Sequence, residues 1–349
     1  MSTAAHPHDS LRARLRERTN GYTLTPEQYA LVALVALVAL TAIVATGAAV
    51  RLTGSGLGCP TWPKCYGNVY PPLNTHAVIE FANRVVTVPV SIAAGAAWLG
   101  AWRRRPYRRD LTWLGGMLPL GVVGQAVLGG FTVKGALDYG WVMGHFALSM
   151  LILLAAVILL WRARRARGER GAPGEARAAR PEPGLVRALW ALVALGALTI
   201  FAGTAATAAG PHAGGSPGQK INRLSFDGRG TMDFVIHRHA EIAFLFSLAA
   251  VAVWWLARRR GAEQRVQRPL TALVGLLALQ GVVGLDQYET HLPTELVWVH
   301  VCLACGGWLA TLWAACAAGA LLPERTRAGR GWRRGAAARS TAPADLPGN

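Results

Sequence analysis

The chain has 349 residues, 52% of them hydrophobic, and carries a formal charge of +18. A soluble protein accommodates those two facts poorly, whereas a membrane protein that confines its basic residues to the loops on one side accommodates both. Nucleic-acid binding is set aside on the same ground, because the arginine clusters flank apolar runs and form no polar domain of their own.

The chain opens on a basic arm (1–28) with Arg12, Arg14, Arg16 and Arg18. The apolar run from about Tyr29 to Val50 is too long for a signal-peptide core and has no clean cleavage signal before Arg51. It reads as a retained first span. Eight stretches in all are long enough to cross a bilayer, near 29–50, 78–102, 111–133, 141–161, 185–207, 236–257, 269–285 and 295–320. The seventh is short and glycine-rich, so its outer end is the least defined boundary. Every span must be a helix, because lipid offers the backbone no other hydrogen-bond partner.

Residues 162–184 are rich in Arg, Ala, Gly and Pro with no apolar face, the composition of a flexible cytoplasmic linker. The chain therefore divides into an arm (1–28), a four-helix bundle (29–161), the linker (162–184), a second four-helix bundle (185–320) and a disordered basic tail (321–349) that touches anionic lipid. The arm, the loops and the tail on the side of both termini hold 27 arginines, and the other side with its adjoining helix ends holds eight Lys and Arg. Both termini are expected in the cytoplasm, with the chain a multi-pass protein of the bacterial plasma membrane.

One stretch occurs twice. Gln125-Ala-Val-Leu-Gly129 leads through a short loop to Trp141 and His145, and Gln280-Gly-Val-Val-Gly284 leads to Trp298 and His300. The spacing from Gln125 to His145 equals that from Gln280 to His300, and the two copies are offset by nearly half the chain. That pattern indicates internal duplication, with two parallel copies of four helices.

With this topology the outer ends of the even-numbered spans collect the polar residues: Glu80, Asn83 and Arg84 in the second, His145 in the fourth, His237 and His239 in the sixth, His300 in the eighth. Each lies within roughly 10 Å of the outer interface at about 1.5 Å per residue. An ionisable residue inside a span costs about 2.5–3.5 kcal/mol on insertion scales, so it marks function by default. Imidazoles on facing helices are how a bundle ligates haem iron. The second half offers His300 with either His239 or His237, enough for a six-coordinate haem. The first offers His145 with Asn83 on the facing helix, which leaves one face of a haem free for chemistry on the porphyrin. Glu80 and Arg84 stand one turn apart, spaced for an ion pair, and Glu80 is placed to take protons or stabilise positive charge.

Cys302, Cys305 and Cys316 lie within the eighth span and read as small packing residues. Cys59 and Cys65 lie in the first outer loop, where a disulfide persists as a staple or, being strained and exposed in a small loop, as a redox-active pair.

Taken in order, Arg51-Leu-Thr-Gly-Ser-Gly-Leu57 running into Cys59-Pro60, Ile79-Glu-Phe-Ala-Asn-Arg84, Gln125 to Val133 with His145, Gly210-Pro-His-Ala-Gly214, His239-Ala-Glu241, and Gln287-Tyr288 with Leu292-Pro293 leading to His300 resemble the haem A synthase family in its actinobacterial form. The resemblance spans the membrane part. It implies an eight-helix pair of four-helix bundles that oxidises the C8 methyl of haem O to a formyl group, with water as the oxygen source. It further implies a haem b cofactor between His300 and His239, with His237 the alternative because Arg238 follows it. The substrate haem O would be held by His145, with Glu80 the essential carboxylate, Asn83 and Arg84 in support, and Cys59–Cys65 exchanging disulfides. Expected partners are haem O synthase, a quinone or thiol–disulfide electron acceptor, and a further copy in a homo-oligomer. The departure is Asn83, where many members have His, so the substrate iron is expected on His145 alone. Two other readings compete: a di-haem electron-transfer subunit linked to quinone, which needs two bis-His sites, and a transporter, which would show inverted repeats and broken helices.

Overall fold

A computed structural model describes residues 21–165, 182–226 and 230–321. Within them run eight long helices: α1 (Pro26–Leu52), α2 (Thr75–Arg103), α3 (Arg109–Lys134), α4 (Tyr139–Arg165), α5 (Pro183–Ala209), α6 (Thr231–Arg259), α7 (Gln264–Glu289) and α8 (Thr294–Ala317). At 24 to 29 residues each is long and apolar enough to cross a bilayer, and the protein is a multi-pass membrane protein. The arm before residue 21, most of the expected linker (166–181) and the tail from 322 lie outside the described residues.

Local chemistry sets the helix ends. Thr25 and Gln28 close a reciprocal capping box ahead of α1, with Pro26 at its first position. Asn74 accepts from the Ala77 N–H to start α2. Glu182 caps α5 through the N–H groups of Leu185 and Gly184 and pairs with Arg260 at 2.5 Å. These contacts, the Leu185 N–H first, hold its pKa below the usual carboxylate value.

The seventh helix differs from its expected length. It runs 26 residues, because residues 264–268 before the apolar run and 286–289 after it belong to the same helix. It stops where His291 and Leu292 both turn left-handed (φ 64° and 62°). In the first half, the loop after α3 makes the same turn at Ala136 and Leu137 (φ 49° and 58°). The bonds match as well: Leu137 N–H to Thr132 C=O at 2.9 Å, and Leu292 N–H to Gln287 C=O at 2.6 Å.

Contacts close two rings, α1–α2–α3–α4 and α5–α6–α7–α8, each helix packing on the next and the last on the first. In each ring the second and fourth helices stand at opposite corners. α8 packs on α1 and α4, and α4 touches α5. The seam is apolar, with two indole hydrogen bonds across it, Trp308 Nε1–H to Met150 C=O (3.2 Å) and Trp298 Nε1–H to Ala45 C=O (2.9 Å), and Trp161 edge-on to Trp313 at 5.3 Å. Outward-facing Leu31, Val38, Ile92, Leu120 and Leu248 are more than half exposed, as lipid-facing side chains are. At one end the loops are arginine-rich. At the other, the loops after α1 and α5 interlock: Gly56 N–H donates to Gly214 C=O (2.8 Å), Ser216 Oγ to Gly54 C=O (2.9 Å) and Arg51 Nε to His212 C=O (3.1 Å). Gly56 is needed there, since a Cβ would sit 2.9 Å from the Gly214 oxygen.

Candidate functional site

The polar residues singled out in the sequence all sit at the end opposite the arginine-rich loops. In the second ring, His239 on α6 and His300 on α8 look at each other across the diagonal. Their ring centroids are 6.2 Å apart and their planes 73° inclined. Two imidazoles on opposite sides of one metal ion take that spacing: a bond of about 2 Å plus about 1 Å from nitrogen to ring centre, counted twice. A haem iron already holds four porphyrin nitrogens and needs two such ligands.

The chain orients His239 by a hydrogen bond from its Nδ1 to the Thr199 carbonyl (3.1 Å), which fixes the tautomer and leaves the other nitrogen free. His300 Nδ1 is buried with no hydrogen-bond partner. Gly203 and Gly284 make room for the rings; a Cβ would come within 3.1 Å of His239 Cε1 and 3.3 Å of His300 Cε1. Two oriented imidazoles, each in a glycine cradle and one with an orphaned nitrogen, fit a haem. His237 is placed differently. It is exposed, its Nδ1 pairs with the Asp233 carbonyl (2.6 Å), and its ring meets Tyr288 edge-on at 6.4 Å.

The first ring repeats part of this set. His145 on α4 has a buried Nδ1 without a partner, and Gly129 lies under its ring, 3.6 Å from Cε1 to a Cβ built there. Gln125 Nε2 donates to the His145 carbonyl at 3.0 Å, as Gln280 Nε2 does to the His300 carbonyl at 3.0 Å. Opposite His145 the ring presents Asn83, whose Oδ1 accepts from Thr46 Oγ1 at 2.7 Å. Thr46 was carried by no sequence signal. It is an ordinary apolar-run threonine until α1 and α2 are packed.

Glu80 is 6% exposed, and its carboxylate is fully engaged. It accepts from the Cys59 N–H at 2.7 Å and forms the expected ion pair with Arg84 at 2.5 Å. Arg84 in turn donates to the carbonyls of Cys59, Thr61 and Pro63. Together the two side chains bind the first outer loop onto α2. Cys59 and Cys65 form a disulfide, but not the exposed one expected from the sequence: the two residues are 0% and 1% exposed, packed with Ala77 and Phe81. The loop is folded back on the helix by the bonds to Glu80 and Arg84, and that covers the sulfurs. Gly58 makes the approach possible, since a Cβ there would lie 2.2 Å from the His76 carbonyl oxygen. Gly58→Ala is therefore expected to destabilise the protein by about 1–3 kcal/mol, read as a lower melting temperature in detergent. Cys302, Cys305 and Cys316 carry no disulfide and pack within α8.

His212 was part of a sequence pattern without an assigned role. Its Nε2 bonds the Leu292 carbonyl at 2.7 Å and its own carbonyl accepts from Arg51, so it joins the α5–α6 loop to both rings.

Residues 30–313 match the family model COX15-CtaA, cytochrome oxidase assembly protein. A protein named heme A synthase in Lysinibacillus sphaericus is 36% identical over 121 residues, 33% of this chain, so that the chain spans only 38% of that relative's length. One of the same name in Symbiobacterium thermophilum is 28% identical over 275 residues, 76% of this chain and 87% of that protein. A protein named protoheme IX farnesyltransferase in Thermus thermophilus is 28% identical over 284 residues, 75% of this chain and 44% of its own length.

Proposed function

This chain belongs to the COX15-CtaA family of cytochrome oxidase assembly proteins, and from that membership we propose that it is a haem A synthase, oxidising the C8 methyl of haem O to a formyl group with water as the oxygen source. The observation that carries the reading is the His239–His300 pair of the second ring, spaced for one haem iron, beside a first ring that offers a single imidazole and a buried carboxylate.

The two rings are the products of one duplication, each a four-helix domain (29–161 and 185–320). Support comes from the matched Gln–His bonds and from the paired left-handed turns, Ala136–Leu137 in one half and His291–Leu292 in the other. Both termini lie in the cytoplasm, on the side of the arginine-rich loops, so the imidazoles and the disulfide stand at the outer face.

His239 and His300 hold haem b, which supplies one-electron chemistry there when bound. His145 holds the substrate, haem O, in the first ring. A single imidazole suits a molecule that must enter and leave. Asn83 stands where many members of the family have a second His. Glu80 stands as a fixed anion at the outer end of α2. Its Oε2 is held by the Cys59 N–H and its Oε1 by Arg84, so the charge is oriented in advance. It stabilises positive charge developing on the substrate and takes the proton released there. Electrons pass to a quinone or to Cys59–Cys65. The likeness to a protein named for farnesyl transfer to protohaem supports haem O synthase as the partner that delivers the substrate.

The test is to express the protein with and without a haem O source and extract the pigments. A formyl-bearing haem is expected only with the source. Haem b alone in both preparations sinks the synthase and leaves an electron-transfer subunit.

A further inference from the structure

The two rings differ most where they should be equivalent. In the second, His239 reaches from α6 to the Thr199 carbonyl on α5, and its ring lies over Gly203. Setting Asn83 of the first ring against His239 pairs Ile43 with Thr199 and Gly47 with Gly203. Thr46 Oγ1 stands between two of these first-ring positions, 3.2 Å from the Ile43 carbonyl and 2.7 Å from Asn83 Oδ1. Asn83 thus reaches the same helix at the same level as His239, by way of a hydroxyl. The third position is open. A Cβ on Gly47 would meet nothing within 4 Å, whereas one on Gly203 would meet the His239 ring at 3.1 Å. The ring keeps the glycine, and the shorter Asn83 amide, anchored to one side by Thr46, leaves the space over it unfilled.

We propose that Thr46 and Asn83 hold open, over Gly47, a binding position for one small exchangeable lone-pair ligand, of the size of water or cyanide, on the face of the substrate haem opposite His145. This rests on the first ring holding the substrate. The Thr46 hydroxyl fixes the Asn83 amide by its oxygen, so that the amide NH2 is the donor left to face the ligand. Distal donors of this kind decide whether an iron takes a small ligand or is closed by a second side chain. Thr46 is then a positioning residue and Asn83 the direct contact.

The experiment uses full-length protein purified from cells that supply haem O, with haem content per chain measured and cyanide titrated against the visible and electron paramagnetic resonance spectra. The wild type is expected to show one haem population that binds cyanide and one that does not. In Asn83→His the new imidazole enters the space over Gly47, haem content holds, and the cyanide-sensitive population becomes a second six-coordinate, low-spin one. Thr46→Val retains haem and weakens cyanide binding by about tenfold, the usual scale for losing an orienting partner. Gly47→Val keeps Asn83 and fills the space directly, so cyanide binding is lost with haem retained; it serves where Asn83→His does not fold. Two haems per wild-type chain with neither sensitive to cyanide, or unchanged cyanide affinity in both Asn83→His and Gly47→Val, overturns the proposal while formyl-haem formation still stands. A chain that takes up no haem O at all overturns both.

Discussion

On the proposed ligand set, replacing His239 with alanine is expected to strip haem from the purified protein, and replacing His237 to leave it in place. The two residues are neighbours in sequence and both stand at the outer end of α6, yet only His239 is brought within 6.2 Å, centroid to centroid, of His300. His237 is occupied with the Asp233 carbonyl and Tyr288 on the outside of the ring. Loss of an orienting partner alone costs metal sites about 10–100-fold in affinity, so loss of an axial ligand is expected to cost more than about 100-fold. His300→Ala should match His239→Ala, with haem per chain falling to background and the low-spin signal gone. Haem retained in His239→Ala and lost in His237→Ala would reverse the assignment.

That choice was nearly legible in the sequence. Residues two apart on a helix point about 200° apart, so one of the pair must face away from the ring. Val235, Phe246, Ala250, Val253 and Ala257 form the buried stripe of α6, and His239 falls in phase with it, one turn after Val235 and two before Phe246. His237 falls out of phase. The apolar runs likewise gave all eight helices and missed some of their ends: residues 231–235 of α6 and 286–289 of α7 keep helical bonds that a hydropathy reading cannot see, and α8 stops at Ala317, short of the expected 320. The contacts that no local pattern carries are those between distant segments. Thr46 meets Asn83 only after α1 and α2 pack, and the disulfide is buried only because Glu80 and Arg84, in the next helix, draw its loop down. Residue types and spacing name the candidates there; tertiary packing decides what each one touches.

Glu80 is where those two kinds of information must be separated, because its carboxylate both clamps a loop and carries a charge. Glu80→Gln keeps an oxygen for the Cys59 N–H and removes the negative charge facing Arg84. Arg84 retains three backbone carbonyls and remains partly solvated, so the loop is expected to hold and the melting temperature to move little. Formyl-haem formation is nevertheless expected to fall by about 100-fold or more, the scale for removing a positioned proton acceptor or a preorganised charge. Glu80→Ala removes both functions. It should lose product to the same degree and in addition free the loop, so that Cys59 and Cys65 become reducible by a mild thiol and open to alkylation, while haem held by His239 and His300 stays. The informative result is the comparison. Product lost in both variants, with the cysteines protected only in Glu80→Gln, assigns the charge to chemistry and the hydrogen bond to the loop. Full activity in Glu80→Gln with loss in Glu80→Ala would make the residue a clamp alone, and the reaction would have to find its anion elsewhere.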